Sequence, residues 1–427
     1  MTDWRWAVFL PVVFVSYSLA FVDRTNFGFA LAAGMARDLG VTGGAVSLAG
    51  ALFFLGYFPF QAPGTRLAER RSIRWVIFCG LIGWGVLACA TGLIHRLGLL
   101  YADRLLLGVV ESAVMPALVI LLSRWFTAGE RARANTILIL GNPVTMLWMS
   151  VVSGYLAQAA GWRAMFIVEG APSVLWAFVW LAFSADRPSS SRWIDPAKAA
   201  ALEAAIADEQ RAIKPIASYA ALFRSPALVL FSIQFLLWSV GAYGFVLWLP
   251  VMLKHNQISL GEIGWLAAAP YAAAIMLMCA GSFASDRLRA RRILVWPFLL
   301  LAAMAFYGSY LTQGLHYWLS YGLLVIAGAC TYAPYGTFFA YISEVLPRNV
   351  LGAAVAIVNS AGALGSFGGT YLVGMLNGLG HGPGLAYLLI AAALLMAAMT
   401  TLALPTAGER RARGRAPVTE ALARADL

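Results

Sequence analysis

Residues 64–74 read Gly-Thr-Arg-Leu-Ala-Glu-Arg-Arg-Ser-Ile-Arg, and residues 281–291 read Gly-Ser-Phe-Ala-Ser-Asp-Arg-Leu-Arg-Ala-Arg. Both keep one pattern, Gly-x4-acid-Arg-x3-Arg. It falls on Gly64, Glu69, Arg70 and Arg74 in the first copy and on Gly281, Asp286, Arg287 and Arg291 in the second, 217 residues later. The same offset carries Arg131 onto Arg348 and Asn142 onto Asn359. A single offset shared by separate loops and helices marks an internal duplication.

Outward from these charged loops the chain is apolar. Of its 427 residues 61% are hydrophobic and 11% charged, against about a quarter charged in soluble chains. Uncharged stretches long enough to cross ~30 Å of hydrocarbon as helices recur along the whole length. Spans are expected at roughly 6–33, 43–65, 75–94, 98–123, 134–159, 163–184, 226–253, 262–285, 293–312, 316–345, 350–376 and 383–404. The expected fold is all-α, with twelve transmembrane helices in two pseudo-symmetric six-helix halves. Residues 1–190 form the first bundle, 191–225 a cytoplasmic linker, 226–405 the second bundle and 406–427 a basic cytoplasmic tail. Within the linker, the Ala- and charge-rich stretch Pro196 to Lys214 reads as a surface helix. Met1 to Arg5 runs directly into an apolar span without a small-residue cleavage pattern, so no signal peptide is expected.

Basic residues set the topology. With the N-terminus inside, 24 of the 30 Lys and Arg fall on the inner side and four (Arg37, Arg96, Arg163, Lys254) on the outer, while Arg24 and Arg104 lie within spans. Such asymmetry places both termini in the cytoplasm and accounts for the +11 net charge without nucleic acid. The expected location is the bacterial inner membrane. The arginines of the tail (Arg410, Arg411, Arg413, Arg415) suit anionic lipid, although topology alone explains them.

Asp23 and Arg24 stand deep in the first span, Glu111 lies mid-span in the fourth, and Arg104 is two turns before it. A charge at mid-membrane costs ~2.5–3.5 kcal/mol, so four unpaired ones would cost ~10 kcal/mol. They must therefore face one another or an aqueous cavity. Arg24 carries a permanent charge on a planar fork suited to a bidentate grip on a carboxylate. Asp23 and Glu111 are acids that burial and mutual repulsion would let hold protons near neutral pH. Proton uptake would free Arg24 for a small anionic carboxylate; proton release would restore the acid–arginine pairs and expel it. The alternative is a neutral charge cluster that merely locks helices together. The loop repeat reads as a conformational latch: the glycine admits a close helix, and the acid and arginines pair in one state and part in another. A solvated cluster that only sets topology is the alternative.

In these residues the chain resembles the major facilitator superfamily. Its first loop departs from that signature, with Glu69 where Asp is usual and Ser72 where Gly is usual; the second copy, with Asp286-Arg287, is closer. Phe21-Val22-Asp23-Arg24-Thr25-Asn26 and Arg104-Leu105-Leu106-Leu107-Gly108-Val109-Val110-Glu111-Ser112 look like the anion:cation symporter branch, which carries sugar acids and related anions. The resemblance to D-galactonate carriers implies that Arg24 meets the substrate carboxylate and that Asp23 and Glu111 handle protons. It also implies that Tyr57, Gln234 and Asn359 bind hydroxyl groups. Asn142 stands where a glutamine is expected, and Phe21 replaces a common tyrosine. For each of these polar residues helix–helix hydrogen bonding is the alternative, though repeat-related placement favours a shared cavity for Asn142 and Asn359. The resemblance implies no cofactor beyond protons as coupling ion. A monomer is expected.

The run Thr331-Tyr332-Ala333-Pro334-Tyr335-Gly336-Thr337 breaks the tenth span and offers Tyr335 as a site residue, or else a packing kink. With Leu346-Pro347-Arg348-Asn349-Val350 and the stretch 359–367, it resembles 2-ketogluconate carriers. Gly362-x2-Gly365-x2-Gly368-Gly369 follows no strand and reads as close helix packing rather than a nucleotide loop. Asp103 and Glu169 read as structural partners. The four cysteines lie in apolar spans without CxxC spacing and read as packing residues, not metal ligands. No nucleophile–base pair or phosphate loop points to an enzyme. Two further readings stand beside the symporter: an exporter of amphipathic drugs on the same fold, and a ligand sensor that does not transport.

Overall fold

The computed structural model describes residues 3–211, 225–254, 258–288, 291–312, 314–346, 351–378 and 384–404. Helices dominate: α1 (Leu10–Ala32), α2 (Gly43–Arg70), α3 (Ile73–Leu93), α4 (Leu97–Glu111), α5 (Val114–Trp125) and α6 (Ala128–Phe183) come first. Then follow α7 (Pro196–Arg211), α8 (Pro226–Leu253), α9 (Leu260–Leu288), α10 (Trp296–Thr312), α11 (Tyr317–Tyr332), α12 (Tyr335–Val345), α13 (Leu351–Gly378) and α14 (Gly384–Ala403). Among the described residues ten helices are long and apolar enough to cross a membrane. One of them, Arg133–Phe183, is 51 residues long and reverses at Gly161, whose φ of 78° and ψ of 167° only glycine adopts readily. It therefore crosses twice. The glycine-rich 28-residue α13 packs among the other spans, completing the twelve crossings the hydropathy pattern predicts.

Two crossings are broken. The fourth is interrupted between Glu111 and Val114 and the tenth between Tyr332 and Tyr335. Pro334 explains the second break, as the sequence predicts. Pro116, third residue of α5, explains the first, because its ring cannot donate to the preceding turn.

Within each half, helices pack through small residues. A methyl group on Gly365 or Gly369 would strike the carbonyl oxygens of Leu236 and Val240 on α8, so the glycine run is the close contact expected of it. The outer surface is apolar: Trp75, Trp265 and Trp318 are all more than half exposed, as suits a lipid-facing belt. Cys79 and Cys279 also face outward, and only Cys330 is buried. The packing role expected of all four cysteines thus fails for two, which lie on the lipid-facing side of their helices.

Outside the membrane the chain is stitched by charges. The Arg5 guanidinium forks onto both Glu130 carboxylate oxygens at 3.0 Å, and Arg131 pairs with Glu209 of α7 at 3.7 Å. The linker helix is thereby tied to the start of α6.

Candidate functional site: the cavity between the halves

The halves meet at the end of the bundle remote from Leu10 and Ala403. There Gly28 of α1 backs onto the carbonyl of Leu247 on α8, and Gly154 of α6 backs onto Gly264 of α9. Lys254 donates to the carbonyl of Ala32. Gly261 N–H donates to Gln158 Oε1 at 2.7 Å, and Trp265 Nε1 to Tyr155 Oη at 3.3 Å. On the opposite side, among the described residues, Ser360 Oγ donates to Gln61 Oε1 at 3.1 Å.

Between these regions lies a cavity whose empty space, open mouth included, is about 910 Å³. From the first half Tyr17, Phe21, Arg24, Tyr57, Glu111 and Asn142 line it; from the second, Phe235, Trp238, Tyr243, Tyr332, Tyr335 and Asn359 do. Asn142 and Asn359, 217 residues apart in the duplication, face the same space from opposite halves.

Arg24 is the cation of this cavity. One of its terminal nitrogens lies 3.4 Å from Glu111 Oε2 and the other donates to Tyr243 Oη at 3.3 Å. Its guanidinium stacks over the Phe21 ring at 4.2 Å and lies 5.1 and 5.6 Å from the rings of Phe53 and Tyr57. Aromatic faces hold the charge without consuming its donors. Both of its hydrogen bonds are long, and Arg24 Nε and Glu111 Oε1 have no partner. This is a loose pair that a carboxylate with better geometry can displace. The break after Glu111 places its side chain where the fourth crossing opens toward the cavity.

Two predicted residues do not join this wall. Asp23 neighbours Arg24 in sequence, but consecutive helical residues point about 100° apart. Asp23 instead lines a smaller pocket of about 330 Å³ on the remote side, with Arg24 and Arg104, and accepts from Asn26 Nδ2 at 3.4 Å. Glu111, not Asp23, is therefore the acid within hydrogen-bond reach of Arg24. Gln234 is fully buried on another face of α8 from Phe235, and neither atom of its amide finds a partner. The structure does not bring it to the cavity. Tyr57, Asn142, Tyr335 and Asn359 do reach it.

Arg104 is buried between the rings of Phe27 and Phe166. It donates to Thr91 Oγ1 at 2.6 Å, and that hydroxyl donates on to Asp103 at 2.7 Å. Asp103 is thus the structural partner expected. In the first loop Gly64 packs against Ala113 at the break of the fourth crossing. Arg74 donates to the carbonyl of Leu181, and Ser72 caps α3 while donating to Asp186 at 2.5 Å. Glu69 and Arg70 are exposed and form no ion pair among the described residues. The side chains of Asp286, Arg287 and Arg291 lie outside the described residues.

Sequence reasoning missed Tyr243, Phe235, Trp238 and Tyr17, which also line the cavity. A tyrosine in an apolar span is a common packing residue, and no spacing marks the ones that face a cavity.

A duplicated twelve-crossing bundle around a central cavity between its halves defines an integral membrane transporter rather than an enzyme. A sequence profile of the Major Facilitator Superfamily matches residues 13–256 and 251–425, and the chain belongs to that family. It is 29% identical to a putative tartrate transporter of Agrobacterium vitis over 96% of this chain and 95% of that one. It is also 27% identical to a quinolone resistance transporter of Acinetobacter baumannii, over 86% of each. The inward-open structure of the Escherichia coli xylose transporter XylE superposes with a TM-score of 0.75 at 13% identity, covering 94% of this chain and 99% of that one.

Proposed function

We propose that the protein is a proton-coupled symporter that imports an organic anion by alternating access, and that the anion is a sugar acid such as 2-ketogluconate or another hexonate. The observation that carries this reading is the loose Arg24–Glu111 pair in the wall of the cavity between the halves. A carboxylate arriving there takes over the Arg24 donors, and Glu111, released from its counter-charge, takes up a proton. The hydroxyls of Tyr57 and Tyr335 and the amides of Asn142 and Asn359 surround the remainder of the ligand, which suits a polyol chain. The name of the tartrate relative supports a hydroxylated carboxylate. With the basic loops in the cytoplasm, the closed remote end is the outer one and the cavity faces inward. The Gly-acid-Arg loops then act as cytoplasmic latches that re-form when the inner side closes.

Proteoliposomes holding the purified protein test the reading. Inward-acidifying uptake of labelled 2-ketogluconate or tartrate that disappears in Arg24→Ala supports it; uptake indifferent to a pH gradient sinks the coupling. A second reading, export of amphipathic drugs, is favoured by the aromatic walls (Phe21, Phe235, Trp238) and by the quinolone-resistance relative. It predicts drug resistance in expressing cells without uptake of either acid.

A further inference from the structure

Glu169 sits on the second arm of α6 with its side chain buried, yet no ion pair among the described residues involves it. Ser153 Oγ donates to its Oε1 at 2.7 Å. From α1 the Asn26 amide reaches toward the same carboxyl group while donating to Asp23 Oδ1 at 3.4 Å. Glu169 Oε2 and Asn26 Oδ1 are both left unpartnered. An ionised Glu169 would be a buried charge with no counter-charge among the described residues, a costly state that a proton on the carboxyl group removes.

The charged and titratable groups around it are few. From α1 comes Asp23, close enough for the two carboxylates to repel. From α4 comes Arg104, whose guanidinium lies over Phe166 but is engaged with Thr91 and paired with Asp103. From α3 comes the Cys89 thiol, which donates to the carbonyl of Ile167. On α6 itself Arg163 is turned away to the carbonyls of Gly92 and Ile94. Glu169 lies eight residues past the remote turn at Gly161 and Asp23 nine residues before the remote end of α1, so both are about 12–14 Å below that end. Glu111 lies 14 residues past the remote end of α4, about 21 Å deep.

We propose that Glu169 is a third proton-carrying carboxyl of the transport cycle, loaded from the remote side and exchanging its proton with Asp23 beside the shared amide of Asn26. In the described arrangement Glu169 is neutral and Asn26 donates to a charged Asp23. The transfer moves the proton from Glu169 Oε2 to an oxygen of Asp23, leaves the negative charge on Glu169, and the Asn26 N–H turns to whichever carboxylate carries it. Asp23, set behind the substrate cavity, then passes protons between the remote side and Glu111. The proposal deepens the symport reading, but its first test needs no substrate.

Infrared difference spectra of the purified full-length protein between acidic and alkaline pH report carboxylic-acid carbonyl bands. We expect a deuterium-sensitive band that Glu169→Gln removes and Asn26→Ser shifts, and that in Asp23→Asn titrates at lower pH because the repelling charge is gone. A wild-type spectrum in Glu169→Gln, or a band indifferent to both Asn26→Ser and Asp23→Asn, overturns the proposal. In proteoliposomes that transport tartrate or 2-ketogluconate, Glu169→Gln should keep counterflow exchange and lose the gain from a pH gradient; a retained gain overturns it. If wild type moves neither acid, the symport reading fails on substrate, while Glu169 still stands or falls on the spectrum.

Discussion

Replacing Glu111 by Gln removes the charge that holds Arg24 in the cavity wall while preserving side-chain volume. A buried hydrogen bond to a charged group is worth about 1.5–3 kcal/mol. The 3.4 Å separation and the single contacting oxygen place this pair at the low end, because bidentate geometry at normal distance is what strengthens such bonds. Lifting about 1.5 kcal/mol of competition corresponds to about tenfold tighter binding of a carboxylate. Trp238 lines the same cavity, so quenching of tryptophan fluorescence by tartrate or 2-ketogluconate at neutral pH gives the affinity. The variant should bind more tightly than wild type, with an affinity that no longer varies with pH, and should lose uphill uptake while still exchanging. Weaker binding by the Gln variant would refute the competition argument, since it would make Glu111 a ligand of the substrate rather than its rival.

Other perturbations reach different parts of the molecule. Thr91→Val strands the Arg104 and Asp103 groups it bridges and should cost about 1–3 kcal/mol, read as a lower melting temperature in detergent. Gly154→Leu places a side chain against the Gly264 backbone, where even a methyl carbon would come within 3.0 Å of its Cα; closure at the remote end should fail, and an Asn359→Cys reporter in a cysteine-free background should become less reactive to a thiol reagent applied from the side opposite the remote end. Burial pulls the Glu130 carboxyl up, but the hydrogen bonds and charge of Arg5 and the Thr127 contacts outweigh it and hold it below the usual 4.5. The pair therefore stabilises fully above that value and its contribution fades as the pH falls through the lowered one; Glu130→Gln should remove this acid sensitivity and cost about 0.5–1 kcal/mol at neutral pH.

Most of the fold and half of the site were legible in the chain. Apolar length and loop charge dictate twelve crossings because lipid leaves a backbone no other way to satisfy its hydrogen bonds. The 217-residue offset predicts the facing positions of Asn142 and Asn359, since duplicated halves related by symmetry present equivalent residues to their shared interface. Arg24 and Glu111 betray themselves by the cost of charge in hydrocarbon. Pro116 breaks the fourth crossing as Pro334 breaks the tenth, but only Pro334, with Gly336 beside it, is conspicuous in the sequence.

Apolar length and the cost of charge in hydrocarbon dictate which charges must be buried and into how many helices the chain divides. Which acid each arginine meets depends on how the helices pack. Asp23 and Arg24 are adjacent in the chain, yet helical rotation sends one to the remote pocket with Arg104 and the other to the cavity beside Glu111, 87 residues away. The same rotation takes Gln234 out of the cavity and leaves Phe235 in its wall. It is the packing of α1 against α6 that sets Glu169 beside Asn26, a pairing no spacing announces because it depends on two helices from different crossings reaching the same depth.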